Sequence, residues 1–274
     1  MRFDFKLLGN LEATLDGVSI VPSAAKPRQL LAFLALNANR VVPASTLMAE
    51  LWGQLQPRAA NTTMQTYIHK LRMEIEFALR GHSGYDPKRI LVTEQIGYKL
   101  RTPASDIDVS GYENLANAGR IAADRSDYET ASRNLSAALS LWRGPALSDV
   151  VAGPYLSVEI VRLEENRLSD IDLRIEADLR LGRHRKLLGE LAGLCARFPM
   201  SENFCMKYML ALYRSGQQWR ALEAFQQLRS TMLEELGVDP SANIQRLHLA
   251  ILRRDPTVED ACFASAWAPA AFAG

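Results

Sequence analysis

The segment Pro57–Ile75, PRAANTTMQTYIHKLRMEI, constrains the fold more than any other part of this 274-residue chain. Its residues Ala60, Met64, Ile68 and Leu71 recur at spacings of four, four and three, the period of a helix with one buried stripe. The opposite side shows Thr63, Gln65, Thr66, His69, Lys70 and Arg72. Asn61, Thr62 and Thr63 stand at the start, where the free N–H groups of a helix can meet an anion. A helix with an apolar back, a phosphate-accepting start and a Gln/Thr/His/Lys/Arg front suits the major groove of DNA. The plainer reading is a solvated surface helix, and the neighbouring segments decide between the two.

The chain is long enough for two domains of ordinary size. No window reaches the ~18 uninterrupted apolar residues of a membrane span. The opening MRFDFKLLGN lacks the apolar core and cleavage site of a signal peptide and reads as a strand. Cys195, Cys205 and Cys262 are odd in number, widely spaced and without a metal-binding pattern, which points to a reduced, cytoplasmic setting. Cys195 and Cys205 sit among apolar helical residues as small core fillers. Charge is uneven: residues 1–102 carry 13 Lys+Arg against 8 Asp+Glu, and residues 103–274 carry 19 against 23. A basic front half suits a polyanionic partner.

The first twenty residues alternate apolar and polar around the turns Gly9-Asn10 and Asp16-Gly17, predicting an antiparallel meander. Pro27 opens a helix whose Leu30, Leu31, Leu34 and Ala35 face inward. Val41-Val42 is a short extended piece. Pro43-Ala44-Ser45 starts a second helix, with Leu47, Met48, Leu51 and Trp52 inward and Gly53 at its end. After the third helix come two extended runs, Ile90–Thr93 and Tyr98–Arg101, joined by a turn at Gly97. Three helices and a hairpin make a winged helix-turn-helix, an α+β head.

With strands ahead of the first helix, this order resembles the DNA-binding domain of OmpR/PhoB-type response regulators. TTMQTYIHKLRMEI, with its Thr-x4-Ile-x2-Leu-Arg pattern, and Gly97-Tyr98-Lys99-Leu100 carry the resemblance. By residue type and by what the resemblance implies, Gln65, Thr66, His69 and Lys70 reach base edges. Gln pairs with adenine, and the Thr66 methyl meets that of thymine. Arg28, Arg58, Thr62, Thr63, Arg72, Lys88, Arg89, Lys99 and Arg101 are expected at phosphates, setting position and not sequence. The wing tip departs from the pattern. Glu94 stands where relatives commonly place a minor-groove arginine, so the wing contacts DNA weakly or Gln95 takes over.

The rear half is mainly helical and repeats itself. Gly182 and Gly216 are 34 residues apart, and Leu187, Leu191 and Leu194 recur as Ala221, Phe225 and Leu228. A third copy runs through Tyr128, Ala131, Leu135 and Ala138. This period is the tetratricopeptide signature. Residues 143–155, RGPALSDVVAGPY, break the pattern as a packed connector, and a last helix starts after Pro240-Ser241. The Ala-rich tail, 255–274, is expected to be disordered.

The motifs LWRGPAL, ALYRSGQQWRALEAF and LEELGVDPSANIQRLHLAIL, behind a winged helix, resemble the SARP family, the Streptomyces antibiotic regulatory proteins. The resemblance covers about residues 1–255. It implies a winged-helix DNA-binding domain at 1–102 and a tetratricopeptide-like bacterial transcriptional activation domain at 106–253. The function implied is activation of a secondary-metabolite gene cluster in an actinomycete. The implied partners are double-stranded promoter DNA carrying direct repeats, a second protomer on that DNA, and RNA polymerase with its sigma factor. It implies the short form of the family, without a receiver, ATPase or phosphopeptide-binding module. The alternative is a tetratricopeptide adaptor whose winged-helix head binds protein. Four scattered histidines, with no HExxH, phosphate loop or GxSxG, argue against an enzyme, a cofactor or a metal site.

Overall fold

The structure is a computed structural model that describes residues 2–80 and 86–259. The N-terminal meander forms as the alternation predicts. Strands β1 (Phe3–Lys6), β2 (Glu12–Leu15) and β3 (Val18–Ser19) are antiparallel, with Phe3 opposite Leu15 and Phe5 opposite Ala13. Those four side chains are buried on one face. The two-residue turn Asp16-Gly17 has both φ angles positive, 49° and 84°, the geometry that the twist of a tight hairpin requires.

Helix α1 (Ala25–Leu36) begins two residues before Pro27, which sits in the first turn where a missing N–H costs nothing. Strand β4 (Val42–Pro43) leads into α2 (Ala44–Trp52), and a loop brings in α3 (Ala60–Ala78). A short helix, α4 (Pro87–Ile90), has no counterpart in the sequence reading; Asp86 caps it by accepting from the Lys88 N–H. Strands β5 (Leu91–Thr93) and β6 (Gly97–Leu100) follow, and the sheet order is β4-β6-β5. The winged-helix-turn-helix expectation is met, with one change. Gly97 begins β6, and the turn is made by Glu94–Ile96, closed by the Glu94 N–H on the Gly97 carbonyl (2.9 Å).

Two compact units divide the chain: Met1–Asn117 with Ser136–Ser169, and Ala118–Leu135 with Asp170–Gly274. The first is larger than the expected 1–102, because carboxylates hold later segments onto the meander and α2. Asp108, at the start of α5 (Asp108–Asp124), accepts the N–H groups of Leu7 and Leu8 at 2.8–3.0 Å. Burial pushes its carboxyl above the usual range, against the pull of these bonds and of Arg143. Asp149 accepts from the Leu11 N–H (2.7 Å), and Arg143 pairs with Glu12 (2.5 Å). The connector is packed as expected: Ala146 and Leu147 are buried, as is Trp142 just before it, and the Leu147 N–H bonds the Leu7 carbonyl.

The second unit takes in the C-terminal part of α5, much of α6 (Tyr128–Ser140) and the latter part of α7 (Pro154–Arg180). Helices α8 (His184–Arg197), α9 (Glu202–Arg214), α10 (Gln218–Leu236) and α11 (Ala242–Leu252) complete it. Its core holds Ile175, Leu187, Leu191, Met209, Leu212, Ala221, Phe225 and Ile244. The repeat is visible in the backbone. Gly182 and Gly216 adopt φ of 72° and 80°, and each is followed by an N–H that reaches back five residues, Arg183 to Asp178 and Gln217 to Leu212, both at 2.9 Å. Ser126 (φ 60°) with Asp127 to Ala122, and Arg254 (φ 54°) with Asp255 to Ala250, make the same turn at 2.9 Å. The Ser126 turn opens the third copy read from the sequence, and the non-glycine Arg254 hid the fourth turn.

The tail expectation needs correction at its start. Pro256–Glu259 form a 3-10 turn, Val258 is fully buried, and its carbonyl accepts from Arg214 Nε (2.9 Å). Apolar contact with α9 and α11 orders this stretch. Residues 260–274, with Cys262, lie outside the described residues.

Cys205 is buried and Cys195 half-buried, as fillers should be. Burial pushes the Cys195 thiol up to about 11, and Cys205 higher still. Iodoacetamide at about pH 8 should therefore label Cys195 in the folded protein roughly a hundredfold more slowly than a free cysteine. Peptide mass spectrometry reads the rate, and labelling at the free-thiol rate would contradict this packing.

Candidate nucleic-acid interface

Helix α3 buries Ala60, Met64, Ile68, Leu71, Ile75 and Ala78 against its neighbours, extending the predicted stripe by two turns. Helices α1 and α2 pack on it, and Trp52 stacks on Tyr67 with ring centroids 6.3 Å apart. This fixes the rotation of α3 about its axis, so the opposite face is solvent-facing for geometric reasons. At about 100° per residue, Thr62, Thr66, His69 and Met73 lie along the line opposite the buried stripe, with Gln65 and Lys70 on its flanks.

Gln65, Thr66, His69 and Lys70 are all exposed, as expected. Gln65, His69 and Lys70 have no side-chain hydrogen bond or ion pair among the described residues. The Thr66 hydroxyl is turned back to the Thr62 carbonyl (3.0 Å), so its methyl is the group left for an outside partner. No side chain caps the first turn of α3. Thr62 and Arg58 are exposed beside that turn, and Thr63 is half-buried.

Three of the nine residues expected at phosphates have internal partners. Arg72 donates through Nε and Nη2 to the Leu91 carbonyl (3.1 and 2.8 Å) and through Nη2 to Thr93 Oγ1 (2.8 Å). It joins α3 to β5 and is not free on the surface. Arg28 pairs with Asp149 (3.0 Å) and donates to the Pro22 carbonyl. Lys99 is neutralised by Glu94 at 2.6 Å. The same pair holds the Glu94 carboxyl below the usual carboxylate range, first by the Lys99 hydrogen bond and then by its charge. The glutamate that looked repulsive in the sequence is thus balanced within the wing. Lys88 and Arg89 on α4 and Arg101 after β6 are exposed. At the wing tip Gln95 and Ile96 are exposed, Ile96 to 65%.

Comparison with known proteins agrees with this architecture. Residues 20–100 match the family model "Transcriptional regulatory protein, C terminal", and residues 107–252 match "Bacterial transcriptional activator domain". The chain is 48% identical over 253 residues to the Regulatory protein DnrI of Streptomyces peucetius, covering 92% of this chain and 93% of that one. It is 36% identical over 263 residues to the Regulatory protein AfsR of Streptomyces coelicolor, covering 96% of this chain but only 25% of the longer AfsR. A solved structure of Mycobacterium tuberculosis EmbR, in complex with a low affinity phosphopeptide, superposes with a TM-score of 0.83 at 33% identity. That match covers 97% of this chain and 69% of EmbR. Among the described residues no helix is long and apolar enough to cross a membrane. An OmpR/PhoB-type winged helix joined to a bacterial transcriptional activator domain, shared over nearly its whole length with DnrI, makes this chain a member of the SARP family of transcriptional regulators.

Proposed function

We propose that this regulator binds promoter DNA sequence-specifically, with α3 in the major groove and the wing on the flanking backbone. The reading rests on one observation: Gln65, His69 and Lys70 are exposed, without side-chain partners among the described residues, on a helix whose rotation is fixed by its buried stripe. Gln65, Thr66, His69 and Lys70 take the base edges. Arg58, Thr62, Thr63, Lys88, Arg89 and Arg101 take phosphates, and Arg28, Arg72 and Lys99 support them from within the domain. Residues 1–102 serve as the DNA-binding head and 106–253 as the activation domain.

Two protomers bind as a homodimer on tandem direct repeats, with half-sites about 10–11 bp apart so that both lie on one side of the duplex. The helical half supplies the protomer contact and a surface for RNA polymerase and its sigma factor. The protein works in the cytoplasm, on the nucleoid. Its targets are the promoters of a secondary-metabolite, antibiotic-type gene cluster, an assignment supported by the likeness to DnrI and AfsR.

Lys70→Ala is expected to lower DNA affinity about tenfold at physiological salt, with the thermal midpoint unchanged. Wild-type affinity should fall steeply as salt rises. A gel-shift on fragments of the adjoining promoters measures both. Unchanged binding in the variant would remove this face of α3 from the interface.

A further inference from the structure

We propose that Met73 is a further base-reading residue, one that makes an apolar contact with the C5-methyl group of a thymine. The inference rests on the DNA-binding role of α3 and adds a residue and a base identity to it. Met73 is 55% exposed although it lies in the middle of a well-packed helix. Its place on the helix explains why. The buried positions Met64, Ile68, Leu71 and Ile75 lie on one side, and Met73 falls almost diametrically opposite them. Thr62, Thr66, His69 and Met73 follow one another at intervals of four, three and four, which sets them in one straight row on the outer face. Whatever surface Thr66 meets, Met73 also faces.

The chemistry of that row is graded. Thr66 offers a methyl, because its hydroxyl is held by the Thr62 carbonyl. His69 offers ring nitrogens. Met73 offers a flexible, polarizable thioether with no charge and no strong hydrogen-bonding group. In the major groove the one apolar feature of a base edge is the thymine methyl. Seven residues separate Met73 from Thr66, a rise of about 10 Å along the helix. With α3 lying along the groove, that is about three base-pair steps. The methyl read by Met73 therefore lies about three base pairs from the pair that Thr66 reads. Phe77 comes one turn later and is 51% exposed, with the Arg80 guanidinium over one face of its ring, 4.5 Å from the centroid.

The test starts from random double-stranded DNA selected in parallel with the full-length wild type and with Met73→Ala. In the selected half-site each thymine is then replaced singly by uracil, which removes the methyl and nothing else. Wild-type binding should weaken about three- to fivefold at one thymine beyond that read by Thr66, the effect of one buried methyl. Met73→Ala should be indifferent to that replacement and keep its sensitivity at the Thr66 position. Circular dichroism and the thermal midpoint should stay close to the wild type, since more than half of the side chain's surface is exposed. If Met73→Ala selects the same site and retains every uracil effect, Met73 reads no base. If the wild type enriches no sequence at all, the DNA-reading role of α3 falls, and this assignment falls with it.

Discussion

Replacing Glu50 by leucine should lower the unfolding free energy by about 3–5 kcal/mol, the largest loss expected from any single side chain of the head. Glu50 lies on the inner face of α2 and is 1% exposed. One carboxylate oxygen accepts from Gln29 Nε2 (2.8 Å) and the Gly153 N–H (2.7 Å); the other accepts from the N–H groups of Tyr155 (2.9 Å) and Leu156 (3.1 Å). The three backbone donors belong to the start of α7, where a helix has no internal acceptors for its first N–H groups. A negative charge there also faces the positive end of the helix dipole. Leucine fills the space and satisfies none of them. Glutamine keeps one acceptor oxygen, so Glu50→Gln should lose about 1–2 kcal/mol. Urea unfolding of the two variants gives the comparison. Equal midpoints for wild type and Glu50→Leu would mean that these groups are satisfied by water.

Gly97→Ala should be nearly as damaging, and its effect should be local to the wing. A Cβ at this position would lie 1.9 Å from the Val42 carbonyl oxygen and 2.8 Å from Pro43 Cα, and these backbone atoms cannot turn aside. Strand β4 pairs with β6 here, Pro43 opposite Gly97 and Val42 opposite Tyr98. Alanine must push β4 off the sheet, a cost of about 3 kcal/mol or more. Hydrogen exchange should show Val42 and Tyr98 losing protection while α10 and α11 keep theirs. An unchanged exchange pattern would mean that the strands approach less closely than described.

Periodicity made the core of this protein readable before any coordinates. The stripe of α3, the meander and the 34-residue repeat all follow from side-chain spacing alone. Spacing says nothing about who partners whom across the chain, and the departures are of that kind. Arg28 looked like a phosphate ligand until Asp149, 121 residues away, was placed beside it. Arg72 and Lys99 had the right charge, and only the folded wing shows Leu91 and Glu94 as their acceptors. Gly97 was correctly singled out, but as a turn residue. Its use is close approach to β4, a contact 54 residues away in sequence. Helix α4, at four residues, is too short to show a period. Glu50 falls among apolar neighbours on α2, and nothing local marks it as an acceptor for the start of a distant helix. Met73 escaped notice for the opposite reason: an apolar residue in an amphipathic helix is assumed to point inward.

The Arg72 guanidinium, shared between α3 and the two β5 residues it holds, has a consequence for the choice of target. Helix and hairpin resemble the two jaws of a caliper, tied together by a backbone carbonyl and a hydroxyl of β5. In the proposed binding mode, that gap would set the distance between the groove that α3 enters and the backbone that the wing touches. On that proposal, a site with one base pair added inside a half-site is expected to bind more weakly, even with every contacted base unchanged.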